Sequence, residues 1–149
     1  MTTRDAHGAL GAAPKAALCY FAVVFACGFV LGAIRVLTIV PLVGELRAVI
    51  LELPFMLLAS WVASAWLAGK FSLGRAFAPR AVMGGLAFVF LQGAELVLWR
   101  FLFGRPVATF LQSFEETPNL IGFLGQIVFA LIPMLQAALN YPRAHLPER

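Results

Sequence analysis

Arg35, Glu52 and Glu95 stand inside long apolar runs of this chain. An Arg or Glu in such a setting costs about 2.5–3.5 kcal/mol on membrane-insertion scales unless depth or a partner relieves it. Counting ~1.5 Å per residue from the ends of the runs puts all three at one level, Arg35 near the end of the first run and the two acids about two turns inside the second and third. Gln92 and Gln126 fall in phase with them as hydrogen-bond partners, and Glu45, Arg47 and Arg100 lie closer to the same outer surface. Arg35 can satisfy at most part of two carboxylates. The set therefore reads as a proton site, a cation ligand, or a charge made tolerable, and Arg35 alone as a hold for an anionic head group. The structural alternative is an ion-pair network that fixes helix register, with the outer residues snorkelling to the interface.

Familiar chemistry is not written into the chain. It has no G-x-S-x-G, no H-E-x-x-H, no Asp-rich phosphate motif and no Cys/His pair, so no catalytic residue is assigned and no cofactor is implied. Cys19 and Cys27 share one helix about 12 Å apart along its axis, beyond the ~7 Å reach of a disulfide. His7 and His145 occupy opposite tails without a ligand cluster, so no metal is expected. No basic stripe interleaved with aromatics suggests nucleic acid.

The elements that position the charges are four apolar blocks, 16–40, 46–68, 81–103 and 119–139, each of the roughly 20 residues that cross ~30 Å of hydrocarbon. With 62% hydrophobic and 12% charged residues the chain cannot cover a water-soluble globule. The expectation is an all-α fold, a four-transmembrane-helix bundle forming one domain over 1–149. The first block runs past the ~7–15 residues of a signal-peptide core and reads as retained. The very short connection at Pro41 to Gly44 makes the first two helices an antiparallel hairpin. Val107, Phe110, Leu111 and Phe114 recur at i, i+3, i+4 and i+7, which fits an interfacial helix over 106–115. Thr117 followed by Pro118 reads as an N-cap with Pro at the first helical position.

Polar side chains should turn away from lipid, so their angular placement marks the inward faces. These are Phe21, Val24, Gly28, Gly32 and Arg35 in the first helix, and Glu45, Ala48, Glu52, Ala59 and Ala63 in the second. The third lines up Ala81, Gly85, Phe88, Gln92, Glu95 and Trp99, and the fourth Asn119, Gly122, Gln126, Pro133, Gln136 and Asn140. Gly28, Gly32, Gly85 and Gly122 are the expected helix-packing positions. Pro54 and Pro133 free the carbonyls of Ile50 and Phe129 from their helical donors. Trp61, Trp66 and Trp99 sit where aromatic belts are expected and carry no assigned chemistry.

Seven of the eleven Lys/Arg residues fall on one side in a four-crossing layout: Arg4, Lys15, Lys70, Arg75, Arg80, Arg143 and Arg149. The positive-inside rule then places both termini in the cytoplasm. The runs Gly32-Ala33-Ile34-Arg35-Val36-Leu37, Gly44-Glu45 to Glu52-Leu53-Pro54 and Gly93-Ala94-Glu95-Leu96 resemble a group of small uncharacterised four-helix integral membrane proteins of bacteria. That resemblance implies a bacterial inner-membrane setting and brings no activity with it. The function expected first is an accessory, assembly or structural membrane component, in contact with lipid and with copies of itself or another membrane protein. A small oligomeric transporter or channel using the Arg/Glu cluster comes second, and an intramembrane enzyme acting on a lipid third.

Overall fold

The computed structural model describes residues 3–74, 76–102 and 104–139. Among them every regular element is helical: α1 (Thr3–Ile34), a π-helical turn (Arg35–Ile39), α2 (Val40–Val43), α3 (Glu45–Lys70), α4 (Phe77–Val97), a second π-helical turn (Leu98–Leu102), α5 (Ala108–Gln112), a 3₁₀ turn (Ser113–Glu115) and α6 (Thr117–Leu139). Four stretches are long and apolar enough to cross a membrane, Gly8–Val43, Glu45–Lys70, Phe77–Phe101 and Thr117–Leu139. The chain is a multi-pass, all-α four-helix bundle. Its first helix extends back past residue 16 to Thr3 and carries Pro14 within it, and its third begins at Phe77.

The helices form a square in which α1 and α6 each pack against both α3 and α4. Sequence neighbours α3 and α4 are thus diagonal, joined across one end, here called the proximal end. The distal end holds the two other connections.

At the distal end α1 runs almost directly into α3. Val40 N–H reaches back to the Arg35 carbonyl, five residues away, and Pro41 supplies no N–H to this turn. Only Gly44 separates α2 from α3, at φ 82° and ψ 163°, a conformation essentially reserved for glycine. The proximal end closes differently. Leu73 N–H bonds the Ala68 carbonyl and Ser72 N–H that of Gly69, a Schellman motif with Ser72 in the left-handed position at φ 51°. The motif tucks Leu73, fully buried, beneath the bundle. Arg80, in the first turn of α4, donates from Nε and Nη2 to the Gly74 carbonyl and holds this turn in place.

The core is built of small residues and a few large ones. Ala13, Ala16, Ala17 and Tyr20 of α1 meet Leu67 of α3, Met83, Ala87 and Leu91 of α4 and Phe129 of α6. Phe55, Leu58, Val62, Val89, Val97 and Leu131 point outward and are exposed. Large apolar groups outside and alanines inside are the reverse of a water-soluble bundle, and they suit a bilayer, where association depends on close packing.

Tyr20 joins the diagonal pair α1 and α6. Its ring stacks on Phe129 at 4.5 Å between centroids, and its hydroxyl donates to the Phe129 carbonyl at 3.0 Å. Nearer the proximal end, the Gln136 side chain accepts from Ser64 Oγ at 2.9 Å and donates to the Trp61 carbonyl at 2.8 Å, tying α6 to α3.

The four expected packing glycines divide. A Cβ at Gly28 would lie 3.1 Å from Met56 Cε, a real close approach, whereas nothing lies within 4 Å at Gly32, Gly85 or Gly122. Close packing is made instead at Gly84, one position before Gly85, and at Gly125, three positions after Gly122. A Cβ on Gly84 would collide with the Ala130 carbonyl oxygen, and one on Gly125 would sit 2.8 Å from Leu53 Cδ2. The inward face of α4 is centred on Pro79, Met83, Gly84, Ala87 and Leu91, rotated by about one residue from the stripe that the polar side chains suggest. Asn140, Arg143, His145 and Arg149 lie outside the described residues, as does Arg75.

Candidate functional site

The distal half of the square is not filled by side chains. It leaves a half-open chamber of about 650 Å³, within the roughly 300–1,000 Å³ of pockets that hold drug-sized molecules. All four long helices contribute walls, and the α5/3₁₀ segment contributes Phe110, Ser113 and Phe114. Gly32 and Gly122 line it with hydrogen atoms only, which is what those glycines do in place of packing.

Arg35, Glu52, Glu95 and Gln126 line this one chamber. Within it they form two separate groups. Arg35, at the start of the first π-helical turn, places Nε 2.7 Å from Glu52 Oε2 on α3, with side chains 26% and 15% exposed. That Nε is buried and has no aligned hydrogen-bond acceptor, so its contact with Glu52 is charge against charge and not a directed hydrogen bond. An isolated charge is costly in this environment, and each partner makes the other tolerable.

The second group is a relay of side chains between α4 and α6. Gln92 Nε2 donates to Gln126 Oε1 at 2.6 Å, and Gln126 Nε2 donates to Glu95 Oε1 at 2.5 Å. Glu95 therefore rests on an amide and not on Arg35. The single three-membered cluster expected from depth becomes an ion pair on one wall and an amide-supported carboxyl on another: Arg35 meets Glu52 on α3, while the Glu95 side chain is taken up by Gln126 across the α4–α6 interface. Glu45, Arg47 and Arg100 are exposed and contribute no lining.

Aromatic side chains continue from this relay towards the distal surface. Trp99 meets Phe110 edge-on at 5.8 Å, Phe110 meets Phe114 at 5.3 Å, and Phe114 meets Phe123 at 4.7 Å between centroids. Trp99 Nε1 donates to the Pro106 carbonyl and to Thr109 Oγ1, each at 3.2 Å, and the Arg105 guanidinium lies 4.7 Å from its ring centroid. These contacts fasten α5 and the 3₁₀ turn against the end of α4.

The start of α6 completes the distal rim. Glu116 has extended backbone and its carbonyl accepts from Leu120 N–H, so the cap position is Glu116 and not Thr117, and Pro118 is the second residue of the helix. Asn119 Nδ2 donates to the Ser113 carbonyl at 3.0 Å and to Glu116 Oε2 at 3.2 Å, joining the rim to the 3₁₀ turn.

Reading faces from the sequence missed Tyr20, Ser60, Ser64 and Arg80. Ser60 and Ser64 are buried one position from Ala59 and Ala63, and Ser60 Oγ turns back to the Met56 carbonyl. For Tyr20 a signal existed: Pro133 leaves the Phe129 carbonyl in need of a donor, and Tyr20 is one of few hydroxyl-bearing residues in the apolar blocks.

Comparison of the chain with protein-family models, with curated proteins and with solved structures gave no match.

Proposed function

We propose that this is a small solute-binding protein of the bacterial inner membrane, a carrier component that holds a small organic molecule in the distal half of its bundle. The observation that carries the reading is the chamber itself. Four helices packed only for structure would close on one another, yet here glycines at Gly32 and Gly122 leave space beside an ion pair and an amide-supported carboxyl. Mostly apolar walls with a few placed polar groups are the ordinary make-up of small-molecule sites. Intramembrane ionisable side chains that face a cavity are the usual marks of a substrate path.

The membrane and orientation in this proposal rest on charge and on the resemblance to small bacterial four-helix membrane proteins. Lys70 and Arg80 flank the proximal connection, which supports a cytoplasmic proximal end and a chamber in the outer half of the bilayer. A reporter fused after Arg149 that reads cytoplasmic is the expected result.

Filling the chamber tests the function. Gly32→Leu with Gly122→Leu starts each new side chain at a Cβ that meets nothing within 4 Å and lines the chamber, so the added bulk goes into the cavity, and retained helical circular dichroism should show that the fold is kept. Native mass spectrometry of protein extracted gently from its own membrane should show a small molecule retained by the wild type and absent from the filled variant. A fixed-stoichiometry complex with another membrane protein, identical for both forms and without a retained small molecule, would replace this reading with that of an accessory subunit.

A further inference from the structure

The chamber lining holds one basic side chain, Arg35, and two acidic ones, Glu52 and Glu95. Arg35 is already engaged by Glu52 at 2.7 Å, and this is the one ion pair among the described residues. Glu95, on the opposite pair of helices, receives a single hydrogen bond, from the Gln126 amide to Oε1, and its Oε2 has no partner among the described residues. One positive and two acidic side chains thus face a single cavity, and the acid without a cation is the one on the aromatic side.

That aromatic side is extensive. Phe25 and Phe29 of α1, Trp99 at the end of α4, Phe110 and Phe114 of the distal segment and Phe123 of α6 all line the chamber. Ring faces attract cations within about 6 Å of the centroid, most strongly where water is excluded. The row already carries one such contact, the Arg105 guanidinium over Trp99. A carboxylate with a free oxygen, aromatic walls and about 650 Å³ of space together describe a receptor for a bulky positive charge that is poorly hydrated.

We infer that the chamber takes a lipophilic organic cation, a quaternary or protonated amine or its phosphonium equivalent with an apolar body, with Glu95 as counter-charge and the aromatic row as its wall. An anionic guest would meet Glu95 uncompensated and would have to displace Glu52 from Arg35. A neutral guest would gain the apolar contact but no ionic contact with Glu95.

This inference rests on the proposed binding function, and two probes separate the two. The full-length protein in lipid nanodiscs is titrated by equilibrium dialysis with tetraphenylphosphonium, a permanent cation, and with triphenylphosphine oxide, a neutral molecule of related shape. The expected result is saturable binding of the cation, at least tenfold tighter than the neutral probe and lost in the Gly32→Leu, Gly122→Leu form. Glu95→Gln should weaken the cation at least tenfold and leave the neutral probe within twofold, and Glu95→Asp should restore part of the loss. Phe29→Leu, at an exposed position that the fold does not depend on, should weaken the cation several-fold and the neutral probe little. Equal binding of both probes, or cation binding unchanged in both Glu95→Gln and Phe29→Leu, would overturn the cation assignment while the chamber keeps its role. No saturable binding of either probe would overturn both.

Discussion

The Tyr20 hydroxyl donates to the Phe129 carbonyl, the acceptor that Pro133 deprives of its helical donor four residues on. A proline in a membrane helix is tolerated where a neighbour satisfies the freed group, and here the neighbour comes from the diagonal helix. Stacking of the same two rings at 4.5 Å fixes the spacing of α1 and α6 just below the chamber floor, to which Phe129 belongs.

Tyr20→Phe should therefore destabilise the bundle by about 1 kcal/mol, since it removes the donor and keeps the ring. In a Pro133→Ala background the helix supplies its own N–H to Phe129, and the same change should cost markedly less. Denaturant titration of the four forms in micelles measures this coupling. A Tyr20→Phe cost that is equal in both backgrounds would show that the hydroxyl does not serve the carbonyl freed by Pro133.

Adjacent glycines on α4 should behave oppositely. Gly84→Ala drives a methyl group into the Ala130 carbonyl, where backbone must move, and should cost about 1–3 kcal/mol as overpacking does. Gly85→Ala meets nothing within 4 Å and should be neutral or stabilising by up to about 1 kcal/mol through helix propensity. Thermal denaturation of the two variants in the same detergent compares them directly.

How far the sequence predicts these features follows from what each depends on. Four spans, the tight hairpin at Gly44 and the common depth of Arg35, Glu52 and Glu95 depend on run length and spacing, which are local properties. Whether Arg35 pairs with Glu52 or Glu95 depends on how the helices are rotated about their axes, since α1 adjoins both α3 and α4. The placement of α3 diagonal to α4 is a property of the whole packing, and no local pattern carries it. The glycine faces were displaced for a related reason: polar residues such as Gln92 and Glu95 point to the chamber, while the tightest helix contacts, at Gly84 and Gly125, lie beside that direction. A moment built on polarity therefore finds the cavity and not the seam.

The Arg35–Glu52 pair separates structural need from charge chemistry. Removing one partner strands the other in a poorly solvated site, so Arg35→Met or Glu52→Met alone should cost about 2 kcal/mol or more. The double Met variant should recover most of that loss. Unfolding of the three forms reads the coupling, and a double variant as damaged as the sum of the singles would mean that the two side chains act independently.

Access to the chamber should depend on the fastening of the distal segment to α4. Trp99 Nε1 bonds both the Pro106 carbonyl and Thr109 Oγ1, while its ring meets Phe110, so the indole holds the segment by a polar and an apolar contact together. Trp99→Phe keeps an aromatic ring and deletes the one indole N–H that both acceptors share, a loss of about 1 kcal/mol in closing free energy. A segment held that much less firmly opens about fivefold more often. With Cys19 and Cys27 replaced by Ala and a reporter thiol introduced by Gly122→Cys on the chamber wall, the rate of modification by a water-soluble maleimide reads this opening. Trp99→Phe should raise that rate several-fold, and Thr109→Val, which removes one of the two acceptors, should raise it less. An unchanged rate in Trp99→Phe would mean that molecules reach the chamber by another route, between the helices from the lipid side.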